Sequence, residues 1–255
     1  VLDQVDHPNA VEVYGTGKAE TGELYFVMEL LDGYEVETVW RRTDTFPIRG
    51  ALRIAEQTLD CLEAYHQADV LHRDLKPGNI FLTQEGTVKL LDFGLARFRV
   101  KGQTPTKTGT TLGTPAYMSP EQALGKQEKI DARTDVFGVG AVLFALLSGR
   151  PLHDVGAVDA ALVQAATSRA DPLAEHAPRV PSEVAAIVDR ALEWERVDRY
   201  QSAGEMRDAI RKILQAEDAE ELAEVAASQR REREETTSDA DDRPAPRVGW
   251  VRGTR

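Results

Sequence analysis

The chain has 255 residues, 42% hydrophobic and 29% charged, with 43 Asp and Glu against 31 Lys and Arg for a formal net charge of −12. The size admits one large domain or two small ones, and the composition is that of a globular protein. The acidic balance argues against a nucleic-acid binder, whose affinity would rest on cations neutralising phosphates; the single cysteine, Cys61, excludes an internal disulfide or a cysteine-based zinc site and suits a reducing cytosol.

Residues Val1 to Ala10 are charged and interrupted by Pro8, unlike a secretory signal, and a cytoplasmic location is expected. The chain begins at valine, which fits a fragment or a processed product. Short runs rich in Val, Tyr and Phe at Val11–Tyr14 and Leu24–Met28 predict two strands, with Gly15, Gly17, Lys18 and Gly22 between them. From Ala51 the period changes: Leu52, Ala55, Leu59 and Leu62 fall on one face of a helix reaching about Gln67. Cys61 lies within that apolar pattern, as a buried and inert thiol would. Two short strands are expected at Asn79–Leu82 and Thr87–Leu91, turning at Glu85 and Gly86.

Arg99 to Thr114 lack periodicity and are rich in Thr, Gly and Lys, as a long loop would be. Val136 to Gly149 is the longest uncharged apolar stretch; it is too short to span a bilayer and is expected as a buried core helix, so no membrane segment is expected in this chain. Val184, Ile187, Val188, Ala191 and Leu192 share a helical face, and Ser202-Ala-Gly-Glu205 is a capping box opening a last helix. After about Ala216 the composition turns to Ala, Glu and Arg and then to a polar segment, expected as a solvated helix followed by disorder. A small β portion followed by a mainly helical body makes an α+β fold.

The chemistry concentrates in His72-Arg-Asp-Leu-Lys-Pro-Gly-Asn79 and Asp92-Phe-Gly94. Pro77 between Asp74 and Asn79 forbids a helix, and Asp92 follows an apolar strand. Carboxylate and carboxamide oxygens converging on one pocket suit Mg²⁺, a hard cation that shares its ligands with phosphates. Lys76 adds a point charge suited to a transferring phosphoryl group.

These segments, with "TPAYMSPE", "HPNAVEVYG", "VMELLDG", "DARTDVFGVGAVLFALLSGRP" and "DRYQSAGEM", resemble the protein kinase family in order and spacing, from about Leu2 to Leu214. The nearest likeness is to bacterial serine/threonine kinases of eukaryotic type. The resemblance implies a kinase-like fold with a residual piece of the small β lobe and hinge at 1–31, a mainly helical large lobe at 32–215, and a charged tail at 216–255. It implies a serine/threonine kinase that moves the γ-phosphate of ATP, with Mg²⁺, to protein Ser or Thr hydroxyls; the oligomeric state is left open. Asp74 would accept or orient the hydroxyl, Lys76 would neutralise the moving group, and Thr114 would bridge the two. Asn79 and Asp92 would hold Mg²⁺, the Glu29 and Leu31 backbone would read the adenine edge with Met28 behind it, and Phe81 would lie beneath the ring.

His72 and His66 are expected in structural roles, Asp135 as an acceptor of backbone N–H groups from the catalytic loop, and Glu121 with Arg199 as a buried ion pair. Arg73 would pair with a phosphate on Thr108, Thr110 or Thr111, ordering the loop from Asp92 to Glu121.

The resemblance also settles the glycines around Lys18. In the family the glycine-rich phosphate loop, a strand lysine and a helix glutamate precede a segment like "HPNAVEVYG", so Gly15 to Gly22 is expected as a turn with Lys18 at its solvated tip. Those three elements would fall ahead of Val1, and the 255-residue chain is expected to bind ATP poorly and transfer phosphate slowly or not at all. The alternative is a degenerate kinase fold used as a non-catalytic binding module, which the intact Asp74, Lys76, Asn79 and Asp92 oppose.

Overall fold

A computed structural model describes residues 5–21, 24–91, 114–153 and 158–219. The chain divides into two units, 1–213 and 214–255; in the second, the described residues 214–219 are helical. The segments 92–113 and 220–255 lie outside the described residues, and with them the expectations for Asp92, for the threonine-rich loop and for the end of the tail.

In the first unit, β1 (Val13–Lys18) and β2 (Leu24–Met28) form an antiparallel hairpin. The strand expected at Val11–Tyr14 therefore begins later and runs on through Gly15 and Gly17, which pair with Val27 and Tyr25. Gly17 is strand rather than turn because the Tyr25 ring lies across it: a Cβ there would fall 2.8 Å from Tyr25 Cε1. Lys18, paired with Leu24, is the exposed last residue of β1.

A second antiparallel sheet has the order β3 (Gly33–Glu35), β4 (Ile80–Thr83), β5 (Val88–Leu90). The left-handed Gly86 (φ 83°) makes the β4–β5 turn where the sequence places it. Asn79 belongs to a 3₁₀ turn over Pro77–Asn79 and not to β4 as expected, because the proline opens a short helical turn there. The segment His7–Asn9 is tied to β5: Leu90 N donates to Asn9 O at 2.7 Å, and Asn9 Nδ2 donates to Val88 O at 2.8 Å and to Gln57 at 2.9 Å.

Helices α1 (Val36–Thr43) and α2 (Ile48–Gln67) follow β3. Helix α2 starts three residues before the expected Ala51; Ile48, Arg49 and Gly50 are half-buried, and one isoleucine followed by Arg and Gly sets no helical period. Leu52, Leu59 and Leu62 on its inner face are fully buried, each contributing about 1.5–3 kcal/mol by leaving water. After the short α3 (Pro120–Ala123) comes α4 (Ala132–Ser148), buried along nearly its whole length, as the apolar stretch predicts. It packs against α2 and against α7 (Ser182–Ala191), whose Val184, Ile187, Val188 and Ala191 are buried as the spacing predicts. Helix α4 is capped by Asp131, which accepts from Arg133 N at 3.0 Å, and stops at the left-handed Gly149 (φ 81°). Helices α5 (Val158–Thr167) and α6 (Leu173–His176) lie between α4 and α7 in sequence. The last helix of this unit, from 203, is capped by Ser202, whose Oγ accepts from Glu205 N at 3.0 Å; the Glu205 carboxylate accepts from Gln201 N rather than closing the expected box on Ser202. None of the described helices is long and apolar enough to cross a membrane.

Candidate active site

The loop between α2 and β4 is pinned from below by the first turn of α4. Asp135 there is buried, and its carboxylate accepts from His72 N at 2.9 Å, Arg73 N at 2.8 Å and His66 Nε2 at 2.8 Å. Burial alone would push this carboxyl up; the hydrogen bond and charge of His66, the charge of His72 and the Arg73 N–H outweigh it and hold it below its ordinary value. Arg73 has φ 66°, a left-handed conformation that costs a non-glycine residue about 1–3 kcal/mol and persists because its surroundings fix it. His72 is buried too: its Nε2 lies 2.8 Å from Leu91 O, and Asp74 N donates to its Nδ1 at 3.3 Å, so a proton on Nε2 satisfies both contacts.

These bonds present Asp74, Lys76 and Asn79 together. Asp74 Oδ1 accepts from Thr114 N at 3.2 Å, while Oδ2 accepts from Asn79 Nδ2 at 3.3 Å and lies 3.3 Å from Lys76 Nζ. Lys76 Nζ also donates to Thr114 Oγ1 at 3.2 Å, so Thr114 touches both residues, through its N–H and its hydroxyl. The Asp74 and Lys76 side chains each keep 29% of their surface exposed, enough to meet a reactant without losing their partners. Asn79 Nδ2 is held by Asp74 O at 2.7 Å, which orients the amide and leaves Oδ1 as the hard oxygen a magnesium ion would use. Leu91, fixed through its N–H to Asn79 O at 2.9 Å and its carbonyl to His72, brings the chain past Asn79 just before position 92. Among the described residues no three His, Cys, Asp or Glu side chains gather for a metal ion.

The expected adenine-facing segment follows β2. The Glu29 side chain turns back into the fold, accepting from Glu12 N at 2.9 Å and Lys89 Nζ at 2.8 Å. Burial raises the Glu29 carboxyl, but Lys89 and the Glu12 N–H outweigh it and leave it below its ordinary value. Leu31 is half-buried, and Gly33 beyond it sits against Phe81 of β4, where a Cβ would come 2.9 Å from Phe81 Cε1.

The other side of the site is the segment from Thr114 to α3. Glu121 of α3 is clasped by Arg199 in a two-pronged pair, Oε1 to Nη1 and Oε2 to Nη2, both at 2.9 Å. Thr134 Oγ1 adds a bond to Glu121 Oε1 at 2.8 Å. Arg73 makes no side-chain ion pair among the described residues; Thr108, Thr110 and Thr111 lie outside them.

Sequence reasoning misses several residues that shape this site. Lys89, flanked by Val88 and Leu90 in a strand, gives a signal: a lone cation in an apolar strand needs a partner, here Glu29. Glu37 of α1 lies against the catalytic loop, its Oε2 2.7 Å from where a Gly78 Cβ would stand; only the glycine in an otherwise rigid loop hints at it. Gln122, next to Glu121, donates its Nε2 to Arg73 O at 2.7 Å; its signal is the Ser119-x-x-Gln122 capping pattern.

Residues 1–216 match the protein kinase domain family. The chain is 36% identical over 211 residues to serine/threonine-protein kinase PknB of Mycobacterium leprae, covering 81% of this chain and 34% of the relative. Similarity to PknB of Mycolicibacterium smegmatis is 39% over 214 residues, with 81% and 34% covered, and to PknA of Mycobacterium tuberculosis 36% over 211 residues, with 81% and 47% covered. The chain spans about a third of the length of the PknB relatives it matches. On the family match and on these identities, the chain belongs to the protein kinase family, with its α+β fold.

Proposed function

We propose that the protein is a serine/threonine kinase that transfers the γ-phosphoryl group of ATP to hydroxyl groups of protein substrates. The observation that carries this reading is the triangle of Asp74, Lys76 and Thr114, in which a half-open carboxylate and an ammonium group are held by one threonine. Asp74 accepts the proton of the incoming hydroxyl, or orients its oxygen in line, and Lys76 sets a positive charge beside the group in transit. Asn79 Oδ1, together with Asp92, is the ligand set for Mg²⁺. Bound Mg²⁺–ATP supplies the phosphoryl group and a metal charge on its oxygens. The backbone at Glu29 and Leu31 and the Phe81 ring form the adenine side. Positioning carries most of the rate, since a loose phosphoryl-transfer transition state asks little covalent work of the protein.

The names of the relatives support the choice of Ser and Thr as acceptors; a cytoplasmic location belongs to the same proposal, since a kinase works where ATP is supplied. Arg73 is the cation for a phosphate on Thr108, Thr110 or Thr111, a reading supported by its lack of an ion pair among the described residues. The test is transfer from labelled ATP to myelin basic protein with and without Mg²⁺. Asp74→Asn should reduce kcat by roughly 10²–10⁴-fold with the KM for ATP little changed; an Asp74→Asn protein as active as the parent would overturn the assignment.

A further inference from the structure

We propose that Gln122 is a positioning residue for Asp74, locking the peptide unit that precedes the catalytic carboxylate to the substrate-side helix α3. The proposal rests on the kinase reading of the site. The peptide joining Arg73 to Asp74 has two polar atoms, and each has one partner: Arg73 O accepts from Gln122 Nε2 at 2.7 Å, and Asp74 N donates to His72 Nδ1 at 3.3 Å. On its other side Arg73 N is held by Asp135 at 2.8 Å. The left-handed Arg73 (φ 66°) is therefore gripped on its N–H by the floor of the fold and on its carbonyl by Gln122. Of these grips, Gln122 alone comes from the segment that begins at Thr114, whose own N–H bonds Asp74 Oδ1 at 3.2 Å.

The amide of Gln122 has one workable orientation. Its Oε1 accepts from Ser119 N at 3.2 Å and Ser119 Oγ at 3.1 Å, while Nε2 faces the Arg73 carbonyl. Reversing the amide would set a donor against the Ser119 N–H and an acceptor against the carbonyl, losing both contacts. Ser119 is fully buried, and Glu121, the adjacent residue of α3, is fixed by Arg199 and Thr134, so Gln122 projects from an anchored base. The consequence is a coupling: α3 can sit in place only with Arg73 and Asp74 in place, and a shift of α3 releases the peptide that aims the carboxylate. Misplacement of a catalytic group by about 1 Å is worth roughly 10²-fold in rate, so even partial release should register in kcat.

The test compares Gln122→Met, which keeps length and helix preference but not the hydrogen bonds, with Gln122→Glu, in the full chain. With labelled ATP and myelin basic protein, Gln122→Met should lower kcat by about tenfold or more, with the KM for ATP within about twofold of the parent. Gln122→Glu puts a carboxylate against the Arg73 carbonyl and should be slow at pH 8; protonation restores a donor, so its kcat relative to the parent should rise as the pH falls towards 5.5, a recovery Gln122→Met must not show. Amide hydrogen exchange over residues 72–79 should quicken in Gln122→Met while exchange in α4 stays unchanged. Unaltered kcat and exchange in Gln122→Met, or no pH-dependent recovery in Gln122→Glu, would overturn the proposal. A parent chain with no measurable transfer is what the expected lack of the glycine-rich loop and strand lysine would produce; the exchange result then decides alone, and unchanged exchange over residues 72–79 in Gln122→Met overturns the proposal.

Discussion

Arg199 and Glu121, 78 positions apart in the chain, form a fully enclosed ion pair in which every guanidinium N–H is used. Beyond its two bonds to Glu121, Arg199 donates to the carbonyls of Glu193 (2.7 Å), Arg133 (3.1 Å) and Trp194 (3.1 Å), and its guanidinium lies 4.8 Å over the Phe137 ring. Such a pair need not outdo apolar residues of the same size, but removing one partner strands a buried charge. Arg199→Met should cost about 3–5 kcal/mol in urea unfolding, and the double variant Glu121→Leu with Arg199→Met should cost clearly less than the sum of the single changes. Additive costs would mean the two groups are stabilised separately.

The same pair makes the fold sensitive to acid. Burial raises the Glu121 carboxyl, but Arg199, a backbone N–H and Thr134 outweigh it and hold it below its ordinary 4.5. The folded state then binds fewer protons than the unfolded chain, so this contribution is whole above pH 4.5 and drains away as the pH falls through the folded value. The Asp135 carboxyl, held below 3.8, acts in the same direction at lower pH. Urea midpoints measured from pH 7 to pH 3 should fall steeply in the parent and less steeply in Arg199→Met.

A second titration lies nearer neutrality. His153 is buried under the segment that carries Thr114, with its backbone N–H donating to Ala116 O and its ring Nε2 facing Met118 O, both at 3.2 Å. Burial lowers the imidazole below 6.5 despite the Met118 carbonyl. The unfolded chain takes up the proton first, so stability is whole above about pH 6.5 and is lost as the pH falls through the folded value. His153→Gln retains a donor for Met118 O without the titration, and its unfolding midpoint should be flatter than the parent's between pH 7 and pH 5.

The helices were legible because their signal is local. Leu52, Leu59 and Leu62, and the apolar run after Asp135, state which face or length is buried, and the structure buries them. The contacts of Asp74 and Lys76 with Thr114, and of Glu121 with Arg199, were reached through motif resemblance, since no periodicity links residues so far apart. What stayed hidden depends on who sits opposite. Gly17 looks like a turn residue until Tyr25 is seen to need the room, and Gln122 and His153 act through carbonyls, which any residue supplies.

Thr114 separates hydroxyl chemistry from shape. Its Oγ1 accepts from Lys76 Nζ at 3.2 Å, whereas its contact with Asp74 runs through the backbone N–H. Thr114→Ser keeps both contacts and should retain most activity; Thr114→Val keeps shape and N–H but leaves the half-buried ammonium short of a partner. A loss of one hydrogen bond to a charged group, about 1.5–3 kcal/mol, corresponds to roughly a 10–100-fold fall in kcat/KM if the bond tightens in the transition state. Equal activity of the Ser and Val variants would show that Lys76 is placed by Asp74 alone.

Two glycines of α4 test whether packing beneath the catalytic loop matters for rate as well as for stability. A Cβ on Gly138 would fall 2.8 Å from Leu75 Cβ and 3.2 Å from Leu75 Cδ1; one on Gly140 would fall 2.8 Å from Ala191 Cβ. Neither neighbour is the free end of a flexible chain, so both alanine variants should be overpacked and lose about 1–3 kcal/mol of stability. Their effects on phosphoryl transfer should differ. Gly140 faces α7, away from the site, whereas Leu75 lies between Asp74 and Lys76, so lifting it moves both groups against Thr114. Gly138→Ala should therefore lose kcat in addition to stability, and Gly140→Ala, assayed well below its melting temperature, should keep the parent kcat. Equal loss in both would assign the effect to general loosening of α4 rather than to displacement of the carboxylate.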